Sequence, residues 1–131
     1  VLRLQQLNRW MAESWTVQKS DDLYGISRWG HGYFGTNEAG NIVVFPTRDP
    51  KVAVDLKVLV DEIRQRGLDP PILLRFSDAL RHRITEIHDA FRDAIRDLHY
   101  QNVYRCVYPI KVNQQRHVVE EVLHFGKEYG F

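Results

Sequence analysis

Lys111 is the residue with the clearest capacity for covalent chemistry. It lies in the run Val107-Tyr108-Pro109-Ile110-Lys111-Val112-Asn113-Gln114, an apolar stretch with one lysine that passes at once into polar residues. Period-two alternation puts Val107, Pro109 and Lys111 on one face and Cys106, Tyr108 and Ile110 on the other. Pro109 cannot donate a ladder hydrogen bond, so the regular strand must end or bulge there. Lys111 is therefore expected near the carboxyl end of a buried strand, where barrels and open α/β sheets place reacting groups. Desolvation favours the neutral amine, the form that attacks an aldehyde to make a Schiff base. The plain alternative is a lysine that leads the strand into solvent with its stem packed, and position alone favours that alternative.

Other groups offer less. The single cysteine, Cys106, excludes an internal disulfide framework and a cysteine metal cage. Parity puts it opposite Lys111, as a small core residue. His82 and His88 are six apart and His117 and His124 seven apart, so neither pair has the i,i+4 spacing of helical zinc motifs, and no metal ligands are expected. Gly30, Gly32 and Gly35 form a weakly glycine-rich stretch with no helix after it, a poor phosphate cradle. The aromatic set Trp15, Tyr24, Trp29, Tyr33 and Phe34 reads as packing.

The elements that must position Lys111 follow from periodicity. Residues 1–14 carry Leu4, Leu7, Trp10 and Met11 at helical spacing. Thr16 to Gly32 reads as an irregular segment pinned by aromatics. Tyr33-Phe34, the turn residues Asn37-Glu38-Ala39-Gly40 and Ile42-Val43-Val44-Phe45 read as a hairpin stopped by Pro46. Asp55 can cap a helix with Leu56, Leu59, Val60 and Ile63 inward and Gly67 as its stop. Ile72–Phe76 suits a buried strand. Ser77 is expected to cap a helix with Leu80, Ile84, Ile87, Phe91, Ala94 and Leu98 on one face. Val103–Lys111 is expected to be a second buried strand. A last helix from about Gln115 would turn Val118, Val119, Val122 and Leu123 inward and stop at Gly126.

A β-containing first third followed by strand, helix, strand, helix gives an α/β fold with βα units and a parallel sheet. Two such units cannot close a barrel, which takes about 250 residues. The ends at Val1 and Phe131 are expected to be cuts through a longer chain. Hydrophobic content of 44% and charged content of 27% fit an ordinary globular protein rather than a disordered one. Lys and Arg number 18 against 17 Asp and Glu, with the signs alternating, so no clustered basic face offers a nucleic-acid or anionic-membrane partner. No run approaches the ~20 apolar residues of a membrane span. The lone cysteine makes the cytoplasm the default compartment.

Two sets of residues carry a family resemblance. The wording YPIKVNQ, and upstream WGHGYFGTNEAGNI with Trp15-Thr16 and Leu23-Tyr24-Gly25-Ile26, resembles the N-terminal region of the biosynthetic arginine decarboxylases. These belong to the alanine-racemase-like group of pyridoxal-phosphate enzymes, with the ornithine and diaminopimelate decarboxylases. The likeness runs from about Trp15 to Phe131. It implies that residues 51–131 open a (β/α)8 TIM barrel and that residues 1–50 are a helix and β-hairpin segment associated with a β-rich domain. It also implies that Lys111 is the Schiff-base lysine for pyridoxal 5'-phosphate. The implied reaction converts L-arginine to agmatine and carbon dioxide, as part of polyamine biosynthesis. The same resemblance implies magnesium and a homo-oligomer with active sites at subunit interfaces. No phosphate loop, ring-nitrogen acid, substrate-binding segment or late catalytic cysteine of the family is found in this stretch, so the fragment alone is expected to be inactive. The competing readings are a decarboxylase for another basic amino acid, a non-catalytic relative acting through protein–protein contacts, and a free-standing interaction domain.

Overall fold

The computed structural model describes residues 14–130. The helix expected over residues 1–14 lies almost wholly outside them. The described chain forms two compact units that divide at Pro70/Pro71.

The first unit holds helices α1 (Val17–Tyr24) and α2 (Ile26–Gly30), strands β1 (Phe34–Thr36), β2 (Ile42–Val44) and β3 (Val54–Asp55), and helix α3 (Leu56–Gln65). The segment expected to be irregular is thus helical. Thr16 starts α1, its hydroxyl accepting from the Lys19 N–H at 3.2 Å. Gly25 in the left-handed region then turns the chain from α1 into α2. The aromatics concealed this, because Trp15, Leu23, Tyr24 and Trp29 remain exposed and leave no clean apolar stripe.

The hairpin forms as expected. β1 and β2 pair antiparallel with Phe34 opposite Val44, Gly35 opposite Val43 and Thr36 opposite Ile42. The turn closes through the Gly40 N–H to the Asn37 carbonyl at 2.9 Å, with Gly40 at φ +79°. The short β3, which periodicity did not reveal, adds to the other edge of β2, so the sheet order is β1-β2-β3. Val43 and Val44 are both buried although they point to opposite faces, so β2 is covered on both sides. With Ile26 they form the core of this unit. α3 ends where Gly67, at φ +84°, lets the Leu68 N–H reach the Ile63 carbonyl at 3.3 Å.

The second unit holds α4 (Ser77–Asp97), α5 (Arg116–Gly126) and a 3-10 turn (Lys127–Tyr129). Ile84, Val118 and Val122 form its buried centre, with Leu80, Tyr108, Phe125 and Tyr129 packed around them. Full burial of each such aliphatic side chain contributes about 1.5–3 kcal/mol.

Several expectations for this unit are corrected. The runs at 72–76 and 103–109 are extended but join no strand ladder, so among the described residues the three-stranded sheet of the first unit is the only sheet. Both alternate in burial as strands do, yet Leu73, Val103 and Val107 on their outer face are exposed. Ser77 does not cap α4. The cap position is Phe76, and the Ser77 hydroxyl turns to the Glu121 carboxylate on α5. The apolar face of α4 is buried only near its start: Leu80 is half-buried and Ile84 buried, whereas Ile87, Phe91, Ala94 and Leu98 are exposed. Leu123 faces solvent rather than the core. α5 ends at Gly126 as expected, but not through a left-handed glycine cap. Gly126 keeps right-handed helical angles, the chain runs on into the 3-10 turn, and Gly130 at φ +77° ends that turn.

Candidate active site

Lys111 sits in a turn, not in a strand. Residues 110–112 form a bend closed by the Val112 N–H donating to the Pro109 carbonyl at 2.9 Å. The extended run before it keeps its parity as far as Pro109. Tyr104, Cys106 and Tyr108 turn toward the helices and are half-buried, while Val103, Arg105, Val107 and Pro109 face outward. Ile110 is expected on the same face as Tyr108, which is half-buried. Ile110 is exposed instead, since the turn has begun by that residue. Lys111 follows the outer parity of Val107 and Pro109 into an exposed position beside exposed Val112. The expected burial of Lys111 is therefore not found, while its place at the carboxyl end of an extended segment is.

The turn is held from its flanks. The Tyr108 hydroxyl donates to the Asn113 carbonyl at 3.2 Å, and the Asn113 side-chain oxygen accepts from the Gln115 N–H at 3.2 Å. That second bond is an Asx-type closure leading straight into α5. Gln115 is also tied to Arg75, whose guanidinium donates to its side-chain oxygen. Periodicity places Tyr108 on the inner face but carries no signal of a bond to a carbonyl five residues ahead.

Cys106 is half-buried beside Tyr104 rather than deep in the core. Tyr104 stacks on Phe91 with ring centroids 3.8 Å apart and planes 5° from parallel. The Cys106 thiol, hydrogen-bonded to the Tyr104 hydroxyl, is the main cause holding that phenol above its ordinary value, and burial adds to it. The histidines do other work. His88 stacks on Tyr129 at 4.3 Å, His82 lies 3.8 Å from the Glu86 carboxylate, and His124 packs edge-on to Phe125. Among the described residues no group of three His, Cys, Asp or Glu is placed to hold a metal ion, and no helix is long and apolar enough to cross a membrane. The glycine-rich stretch serves packing: a side chain at Gly30 would meet Phe34 Cβ at 2.9 Å.

Over most of its length the chain is similar to known proteins of one name. The chain is 51% identical over 117 residues to the biosynthetic arginine decarboxylase of Rhodopirellula baltica, a match covering 89% of this chain and 18% of that protein. It is 45% identical over 119 residues to the enzyme of the same name from Gloeobacter violaceus, covering 91% of this chain and 18% of the relative. This chain is a relative of the biosynthetic arginine decarboxylases. A third arginine decarboxylase, from Geobacter sp. strain M21, is 48% identical over 116 residues. The chain thus spans less than a fifth of the length of these arginine decarboxylases. No family model matches it.

Of what pyridoxal phosphate needs, the described residues fit one part. Lys111 is exposed on a pinned turn, and Val107 and Val112 are exposed as well. The lysine amine is the donor chemistry an aldehyde requires.

Proposed function

We propose that this chain is the N-terminal part of a pyridoxal-phosphate-dependent arginine decarboxylase, a carboxy-lyase that converts L-arginine to agmatine and carbon dioxide, and that Lys111 is its Schiff-base lysine. The observation that carries the reading is the 51% identity to an arginine decarboxylase across a stretch that includes an accessible lysine at the end of an extended segment. When bound, pyridoxal phosphate supplies an electron-accepting ring to stabilise the charge left on the α-carbon.

The roles of the chain's own residues follow from their positions. Lys111 offers its amine from the tip of a turn, clear of the backbone bonds that close that turn. Exposed Val107 and Val112 give the amine an apolar surround once the rest of the protein covers them, which lowers the cost of its neutral form. Tyr104, Cys106 and Tyr108 anchor the segment to the helices from the other face.

The same parity supports the wider architecture. The extended runs at 72–76 and 103–109, each followed by a helix, suit the first strands of a (β/α)8 barrel begun within residues 51–131, with outward Leu73, Val103 and Val107 facing its interior. Residues 1–50 would accompany a β-rich domain. Magnesium would take its ligands from elsewhere in the protein. A cytoplasmic homo-oligomer with no nucleic-acid or membrane partner completes the reading.

The test uses the full-length protein with pyridoxal phosphate, borohydride reduction and peptide mapping. A reduced pyridoxyl adduct on Lys111, absent in Lys111→Ala, with carbon dioxide released from arginine in preference to ornithine or lysine, is the expected result. Preference for ornithine or lysine would make it a decarboxylase of another basic amino acid. No adduct on a folded full-length protein would make it a non-catalytic relative.

A further inference from the structure

The turn that carries Lys111 is closed twice, one bond inside the other. The inner closure is the Val112 N–H to the Pro109 carbonyl at 2.9 Å. The outer closure is the Tyr108 hydroxyl to the Asn113 carbonyl at 3.2 Å. Lys111 lies within both. The two differ in what they attach to. The inner bond joins backbone to backbone and moves with the turn. The outer bond ends on a ring that packs against the buried cluster of Ile84, Val118 and Val122. Through Tyr108, the far side of the turn is therefore tied to the part of the unit with the least freedom to move.

We propose that Tyr108 is a positioning residue for Lys111: its hydroxyl, held by the helix core, fixes the loop from 109 to 113 so that the lysine amine is presented in one place. The inference rests on the reading of Lys111 as the cofactor lysine. The neighbouring groups agree with it. Pro109 has its φ fixed by its ring, which removes one rotation at the start of the turn. Asn113, whose carbonyl takes the Tyr108 bond, uses its side chain to accept the Gln115 N–H at 3.2 Å, so the residue is held at two points. Without the Tyr108 hydroxyl the Asn113 carbonyl turns to water, and the turn keeps its inner bond while losing its attachment to the core.

The test uses full-length apoprotein as wild type, Tyr108→Phe and Lys111→Ala. Phenylalanine keeps the ring and its packing and removes only the hydrogen bond. The expected result is that Tyr108→Phe melts with the wild type, yet binds pyridoxal phosphate about two- to tenfold more weakly, the range of one net hydrogen bond. Borohydride trapping at Lys111 measures this without substrate. Amide exchange in the peptide spanning 109–115 should rise in parallel in Tyr108→Phe. Unchanged cofactor affinity in a folded Tyr108→Phe, with the adduct intact in wild type, overturns the positioning role and leaves the function of Lys111 standing. A weaker affinity accounted for wholly by unfolded protein also overturns it. Independently of any variant, a wild-type Val112 amide that exchanges as fast as an open loop overturns it. An absent adduct in wild type removes the reading of Lys111 and this inference together.

Discussion

Asn37 and Asp55 are joined across the first unit: the Asn37 side-chain amide donates to Asp55 Oδ2 at 2.7 Å. The same oxygen accepts the Asn41 amide at 2.9 Å, while Asp55 Oδ1 takes the N–H groups of Lys57 and Val58 at 2.9 and 3.1 Å. One carboxylate thus caps α3 with one oxygen and holds the β1–β2 turn with the other. Four donors on two oxygens leave no room for a neutral substitute that carries a donor of its own.

Asp55→Asn is expected to lower the melting temperature of the chain by several degrees, because an amide can serve the α3 cap or the hairpin turn but not both. Circular dichroism melting checks this. A variant that melts with the wild type would mean that water replaces the Asn37 and Asn41 bonds at no cost.

Acid should act through the same group. The Asn41 amide, then the Val58 N–H, Asn37 and Lys57, hold the Asp55 carboxyl below its ordinary value of 3.8. A depressed folded value means that the unfolded chain binds the proton more readily. Its contribution is therefore fully present above the ordinary carboxylate range and is lost as pH falls through the folded value. Denaturant midpoints taken from neutral pH down through the acid range should fall less steeply in Asp55→Asn than in wild type.

Tyr104 should titrate late. The Cys106 thiol, with burial behind it, holds the phenol above 10. A raised folded value favours the neutral phenol, so its contribution is present below the ordinary tyrosine value and fades as pH rises through the folded one. Ultraviolet titration, with Tyr104→Phe identifying the group, should show the late component moving down in Cys106→Ala. No movement would place the cause in burial alone.

Ile84→Ala should cost about 2–5 kcal/mol in the second unit, since it empties the centre of the cluster shared with Val118 and Val122. Lys111→Ala, at an exposed turn, should stay within about 0.5 kcal/mol of wild type. Urea denaturation of both variants measures the contrast. Equal losses would show that Lys111 has a structural role the turn does not reveal.

Gly30→Ala should destabilise the first unit by about 1–3 kcal/mol, because the added methyl would meet Phe34 Cβ at 2.9 Å, where the adjoining strand leaves no room. Thermal melting compared with Gly67→Ala separates the two ways a glycine can matter. At Gly67 nothing lies within 4 Å of the added carbon, and only the positive φ opposes it.

The sequence by itself determined the features that are local. Asn37 and Gly40 dictate the hairpin turn, Asp55 the start of α3, and Gly67 its stop, because each acts on backbone groups within a few residues of its own. The alternation through Cys106–Pro109 likewise sorted the side chains into two faces before any partner was known, and the wording around Lys111 carried the kinship. Tertiary structure decided what periodicity leaves undetermined, namely which parts of an apolar face find a partner. Ile84 of α4 is buried with Val118 and Val122 of α5, while Phe91, stacked on Tyr104, and Leu98 stay exposed. The two extended runs have the residues of strands but no neighbour to complete a ladder, and a strand exists only by pairing. Lys111 stands in the open for the same reason, and its tie to the core through Tyr108 and Asn113 crosses a turn whose closure no spacing in the sequence encodes.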